Sequence, residues 1–377
     1  MTVHPEPAST HRPLGYMPQL DSLRAIAVLG VFAAHFLSHT SIWGVYVNTG
    51  DLGVKLFFVL SGFLITSILL SAKDKIHNRR TTRRQVIVNF YLRRYLRLTP
   101  AYFLYITLGL FMLPGFSQHF IWFLFYLQNF LFAAKPETFS VYMPHFWTLA
   151  IEEQFYLVMP CIVILVPKPW LLPASILLVC AGPLFRILGM VSGFTEFQVA
   201  LMLPSQFDTL GMGVLLAVLI ARFGHDSRRI RTLLRTTVSL GVPGACLAIY
   251  SAHVKAWPLG TFVAMNFFLG CTFVWVIWRA AAGFHGIVGR VLEWSPLVYL
   301  GRISYGLYVY HFNVHGLLRE HLLPRLGLSI PDSELARYAL FAAVAIVLAS
   351  CSWHFFEQPL NRLKDRFPYA NPRPQEG

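Results

Sequence analysis

Eleven apolar runs dominate the chain, at 23–40, 52–72, 100–113, 119–133, 147–166, 171–190, 206–221, 236–251, 259–278, 297–314 and 335–356. A helix needs about 20 residues to cross a bilayer, with about 17 as a practical minimum. The runs at 100–113 and 119–133 fall short, so one of them is expected to be re-entrant or interfacial. The composition agrees: 56% of residues are hydrophobic and 13% charged, where a soluble domain carries roughly 25% charge. Disorder is excluded, and an ordinary soluble enzyme is disfavoured. The expected fold is all-α, a polytopic membrane helix bundle.

Loop charge sets the orientation. The segment 73–99 holds Lys73, Lys75, Arg79, Arg80, Arg83, Arg84, Arg93, Arg94 and Arg97 against one acid, Asp74. Such a segment belongs on the cytoplasmic side. The segment after 221 carries Arg222, Arg228, Arg229, Arg231 and Arg235. Both lie inside only if the chain makes one net crossing between 100 and 146. The pattern therefore predicts ten transmembrane helices, one partial segment and two cytoplasmic termini. The net charge of +14 then reads as loop charge, and no nucleic-acid partner is expected.

The five cysteines lie in or beside apolar runs without CxxC spacing. They read as small packing residues, with no disulfide framework and no metal site. Residues 1–19 lack the pattern of a cleavable signal peptide. Residues 1–18 are expected to form a disordered cytoplasmic N-terminus, 19–362 the membrane domain and 363–377 a cytoplasmic tail. No internal repeat is visible. No appended soluble catalytic domain is expected, so the chemistry should occur in or at the membrane.

Polar residues inside the spans are the functional candidates, because burying them in lipid is costly. Asp21 is a plausible N-cap of the first span. Arg24 and His35 are eleven residues apart, which places them on one helix face and roughly 16–17 Å apart along the axis. His39 shares that face one turn later. Glu152 and Glu153 point about 100° apart, so only one can face a given cavity squarely. Their expected depth matches that of His35, in the outer half. A histidine with a carboxylate to orient it can activate a hydroxyl. Structural pairing of a glutamate with Arg186 is the competing reading.

Arg93, Arg94 and Arg97 lie on the inner side, with Arg94 and Arg97 on one helical face. Arginine forks suit phosphate, although a topology signal and anionic-lipid contact would also explain the cluster. Ser304 and His311 are seven apart on one face, and Asp208 lies near the outer end of a span. All three are candidates for binding substrate. Asp208 could instead cap a helix, and His311 could be an interface anchor. Glu357, beside Pro359, reads as structural.

Six motifs occur in order: LDSLRAIAV with Arg24 and His35, FFVLSGFLIT at 57–66, RRYLRLTP at 93–100, FWTLAIEEQFYL at 146–157, GRISYGLYVYH at 301–311 and FFEQP at 355–359. With them the chain resembles the acyltransferase-3 family of integral-membrane O-acyltransferases, from about Tyr16 to about Arg362. The resemblance implies ten transmembrane helices and transfer of an acyl group, usually acetyl, from cytoplasmic acyl-CoA to a hydroxyl. The acceptor would be a carbohydrate, a glycolipid or a glycosylated small molecule. The family's essential His and Arg correspond to His35 and Arg24, and its Arg-x-x-Arg motif to Arg94 and Arg97. Ser22 stands where Gly is usual, and Gln206 where Arg is frequent. The length implies the stand-alone type without a C-terminal esterase-like domain, in a bacterial cytoplasmic membrane.

The expected mechanism joins these readings. Arg94, Arg97, Arg24 and Arg93 hold the acyl-CoA phosphates, and the pantetheine arm follows the Arg24–His35 face. His35 acts as general base, helped by Glu152 or Glu153. An acyl-histidine intermediate remains an alternative. A proton-coupled transporter or lipid flippase is the reading from another class. It would often show repeated halves with paired broken helices, which the sequence does not display.

Overall fold

A computed structural model describes residues 16–37, 41–42 and 45–369. His39 lies outside the described residues, as do positions 1–15 and 370–377 of the expected termini. Eleven helices of eight residues or more are found among the described residues. They are α1 (Pro18–Phe36), α2 (Thr49–His77), α3 (Arg83–Met112), α4 (Phe146–Leu165), α5 (Lys168–Val191), α6 (Phe207–Phe223), α7 (Arg228–Val254), α8 (Pro258–Ala282), α9 (Ser295–Arg302), α10 (Ser304–Gly316) and α11 (Glu334–Ser352). The only strands among them are the short antiparallel pair Ser41–Ile42 and Val45–Tyr46. The all-α bundle follows from the apolar runs.

Several boundaries differ from the sequence reading. Pro18 occupies the first helical position of α1, with Met17 as N-cap. Proline is pre-set for that position, so Asp21 does not cap; it pairs with Arg24 at 2.7 Å instead. The basic segment 73–99 is mostly helix. α2 runs on to His77, and α3 starts at Arg83 after Thr82 caps it by accepting from the Gln85 N–H at 3.1 Å. Val86 and Phe90, four residues apart, bury one stripe of α3, which holds this charged half helical.

The run at 119–133 is the one that breaks. It forms two short helices, Phe120–Leu124 and Gln128–Ala134, with Tyr126 between them in the left-handed region at φ 55°. The expected tail also differs at its start. Residues 363–366 form a tight turn, and Arg93 donates to the carbonyls of Lys364 at 2.7 Å and Phe367 at 3.3 Å.

Among the described residues, seven helices are long and apolar enough to cross a membrane. They are α2, α4, α5, Leu203–Phe223 with α6, α7, α8 and Glu334–Arg366 with α11. The other expected spans fall below that measure for visible reasons. α1 carries Gln19, Asp21, Ser22 and Arg24 near its start, and α3 carries its arginines. The 297–314 run breaks at Ile303 into α9 and α10.

The apolar windows of α2 and α6 are each 67% buried, against 22% for α7, so α2 and α6 form the centre. They approach closely because a Cβ on Gly62 would strike the Leu210 carbonyl and one on Gly213 the Val59 carbonyl. Leu177 and Val191 of α5 and Leu247 of α7 are exposed on the outside, as lipid-facing residues are. One apolar cluster joins α2, α4, α6 and α8, and a second joins α1, α3, α10 and α11. Both clusters supply residues to the walls of a cavity between α2, α3, α4 and α10.

Candidate functional site

The cavity is lined by Arg24 of α1, Ser61 of α2, Arg94 and Arg97 of α3, Glu152 and Tyr156 of α4, Ser304 and Tyr308 of α10, and Glu357. A second opening shares Arg24, Leu64, Arg97, Arg302 and Trp353 with it and adds Arg362 and Lys364. The two adjoin, so that a basic mouth lies next to the cavity inside the bundle. Arg94 and Arg97, one turn apart, both face it. The Arg94 guanidinium lies 4.5 Å over the Tyr156 ring. Arg97 has no hydrogen-bond or ion-pair partner among the described residues. An unpaired guanidinium fork in such a mouth suits a phosphate group.

Deeper in, the polar groups are linked. The Tyr156 hydroxyl donates to Ser61 Oγ at 3.0 Å, and Ser61 donates to Glu152 Oε1 at 2.7 Å. Of the two adjacent glutamates, Glu152 lines the cavity and Glu153 does not. Ser304 lines it too. Ser352 donates to Glu357 Oε1 at 2.7 Å, in the π-helical turn Trp353–Glu357. Gly306 leaves room for this carboxylate, since a Cβ there would lie 3.0 Å from Glu357 Oε1. Glu357, expected to be structural, thus also lines the cavity.

His35 lies elsewhere, near the end of α1, in a group of three imidazoles. His311 Nε2 is 3.3 Å from His35 Nδ1. The His145 and His311 ring centres are 4.7 Å apart. The hydrogen bonds fix the tautomers. His35 Nδ1 is 2.9 Å from the Val31 carbonyl, and His311 Nδ1 is 2.7 Å from the Tyr308 carbonyl. A carbonyl only accepts, so both Nδ1 atoms carry the proton. His311 Nε2 therefore presents a lone pair to His35, and His35 Nε2 keeps its own lone pair. The residue is exposed. This nitrogen can accept a proton from an approaching hydroxyl.

The expected partnership of His35 with a glutamate is not what the fold builds. Glu152 sits seven residues beyond His145 on α4, roughly 10 Å along the axis. Its partner is Ser61, and the partner of His35 is His311. The two are not at matching depth. Between cavity and histidines, Thr148 and Tyr308 hydroxyls meet at 2.5 Å beside the His145 carbonyl. His145 was missed because it lies in the connection ahead of α4. Only the docking of α10 brings it to His311.

Two other candidates are occupied. Arg93 faces away from the cavity and holds the 364–367 carbonyls, with Tyr369 stacked 5.1 Å from its guanidinium. Asp208 is fully buried and pairs with fully buried Arg186 at 2.5 Å. Arg186 also donates to the carbonyls of Ser205 and Val263. Arg186 is thus the partner of Asp208 rather than of either glutamate, and Asp208 lines no part of the cavity. Among the described residues no group of three or more His, Cys, Asp and Glu is arranged to hold a metal ion. The five cysteines are free.

Comparisons with known proteins extend over the whole bundle. A Bacillus subtilis protein provisionally named a peptidoglycan O-acetyltransferase is 29% identical over 92% of this chain and 55% of its own length. The Listeria monocytogenes peptidoglycan O-acetyltransferase OatA is 28% identical over 92% of this chain and 56% of its own. The chain thus spans little more than half the length of these relatives. No solved structure matches it. A family model described as an acyltransferase domain matches residues 17–354. That match takes in Arg24, Arg94, Arg97, Glu152, Glu153 and all three histidines, and so the chain belongs to the acyltransferase-3 family of integral-membrane acyltransferases.

Proposed function

We propose that the protein is a membrane O-acyltransferase that moves an acyl group, acetyl by preference, from acyl-CoA to a carbohydrate hydroxyl. The observation that carries this reading is the basic mouth adjoining the polar cavity in the bundle, flanked by α1, whose far end bears His35 with a free Nε2. The donor phosphates bind Arg97 and Arg24, with Arg94 deeper. Glu152 is placed to accept an amide N–H of the pantetheine arm. For the thioester to reach His35, the Thr148–Tyr308 contact must part. The acceptor hydroxyl gives its proton to His35 Nε2 as its oxygen attacks the thioester carbonyl. The C–S bond then breaks, and the departing thiolate takes up the proton.

The basic mouth faces the cytoplasm in this reading. The chain crosses a bacterial cytoplasmic membrane ten times with both ends inside, the donor being made within. The names of the relatives support a cell-wall glycan, peptidoglycan above all, as the acceptor class. The test uses purified protein in detergent and radiolabelled acetyl-CoA. Native protein should bind it and hydrolyse it slowly. Arg97→Ala should weaken binding, and His35→Ala should bind but not turn over. Absence of any CoA-dependent signal from well-folded native protein would overturn the reading.

A further inference from the structure

A second, polar cleft lies at the other end of the bundle. α2 runs antiparallel to α1, and its first turn packs on the last turns of α1. Thr49 Oγ1 donates to the Gly30 carbonyl at 2.9 Å, and a Cβ on Gly50 would lie 2.9 Å from that of Ala34. The start of α2 is therefore beside His35 and far from the basic mouth at the start of α1. Asp51 and Lys55, one turn apart on α2, line the cleft together with Trp147 of α4, Gln206, and Phe262 and Asn266 of α8.

The floor of this cleft is polar and ordered. Lys55, only 4% exposed, donates to Gln206 Oε1 at 2.6 Å and lies 3.6 Å from Asp51. Asn266 Nδ2 also donates to Gln206 Oε1, at 3.4 Å. Sinking a lysine, a glutamine and an asparagine at one spot of a membrane bundle is costly. Partly buried aromatic rings, Trp147 and Phe262, stand at its sides. Amide, carboxylate and ammonium groups beside aromatic faces suit a sugar, whose C–H face packs on a ring while its hydroxyls take the polar groups. Acids and bases balance: Asp51 and Glu196 against Lys55 and Lys255. That balance favours an uncharged ring over an anionic one.

The cleft is also in the right place. Trp147 is two residues from His145, whose ring meets His311 and, through it, His35. The start of α4 and the residue before it thus lie between the histidines and the cleft. We infer that this cleft is the acceptor subsite and that it takes a neutral sugar ring stacked on Trp147. The inference rests on the transferase reading for its role but not for its sugar affinity.

The test is calorimetric binding of uncharged tetrasaccharides, of N-acetylglucosamine and of glucose, with tetragalacturonate as the anionic comparison. Native protein is compared with Trp147→Leu, which keeps apolar bulk, and Trp147→Phe, which keeps a ring. At least one neutral tetrasaccharide should bind better than tetragalacturonate. Trp147→Leu should weaken it tenfold or more, and Trp147→Phe should stay within threefold of native. Neutral sugars that bind no better than tetragalacturonate, or equally to the leucine variant, would overturn the inference. Acetyl-CoA binding is measured on the same native preparation. Its absence would overturn the transferase reading, while sugar affinity alone decides the cleft.

Discussion

His311 Nε2 points its lone pair at His35 Nδ1, 3.3 Å away, while the Val31 carbonyl accepts from the same Nδ1 at 2.9 Å. The proton of His35 is thereby kept on one nitrogen and its basic lone pair on the other. Removing His311 leaves only the i−4 carbonyl to hold the ring. His311→Ala should lower the transfer rate by about 10²-fold, the lower range of what an oriented general base contributes. His311→Gln offers a carbonyl oxygen to the same Nδ1–H and should recover much of that loss. The readout is kcat against the KM for acetyl-CoA, with the loss confined to kcat. Equal rates in the two variants would count against an orienting role.

Arg93 and Arg97 are one turn apart and should behave differently. Arg97 has no partner among the described residues and faces the mouth. Arg93 is tied to the carbonyls of Lys364 and Phe367. Arg97→Ala should weaken acetyl-CoA binding by roughly tenfold or more, in line with about 1.5–3 kcal/mol for a charge-assisted hydrogen bond. The effect should shrink as salt rises. Arg93→Ala should leave affinity within threefold and instead loosen the 364–369 segment, seen as faster proteolysis there. Comparable losses of affinity would show that both reach the ligand.

The part of the site that was legible in the sequence depends on local helix geometry. Arg94 and Arg97 share a face at i,i+3, and the structure turns both to the cavity. The 100° between Glu152 and Glu153 likewise separates one carboxylate from the space. What was not legible depends on contacts between distant segments. The partner of Asp208 is Arg186, on a different helix, and nothing in either local pattern names the other. His145 meets His311 across 166 residues only after α10 docks beside α4. Arg93 reads like its neighbours until the segment after α11 folds back over it. The matching depth expected for Glu152 and His35 fails at α1: the first apolar run extends to residue 40, whereas α1 ends at Phe36 and His35 lies in its last turn.

The α2–α6 contact predicts a sharp contrast between glycines. At Gly213 a Cβ would run into the Val59 carbonyl, which is backbone and cannot swing away. At Gly316, the last residue of α10, an added Cβ meets nothing within 4 Å. Gly213→Ala should therefore lower the thermal midpoint of the detergent-solubilised protein clearly. Gly316→Ala should be neutral or slightly stabilising, since alanine is favoured over glycine in a helix by up to about 1 kcal/mol. Similar midpoints for the two would contradict the close approach of α2 and α6.

The buried Arg186–Asp208 pair predicts a non-additive response. Arg186 is wholly enclosed and donates to Asp208 and to the carbonyls of Ser205 and Val263. Asp208 in turn accepts from the Thr209 N–H at 2.9 Å. Arg186→Met would strand a carboxylate out of water, and breaking such a pair costs about 3–5 kcal/mol. Replacing both charges, as Arg186→Met with Asp208→Leu, removes the stranded group and should restore much of that loss. Thermal unfolding of native, single and double variants measures the coupling directly. If the double variant is no more stable than Arg186→Met, the two charges do not depend on each other. If transfer to the acceptor recovers together with stability in the double variant, Asp208 is part of the frame of the bundle rather than of the site where the acceptor binds.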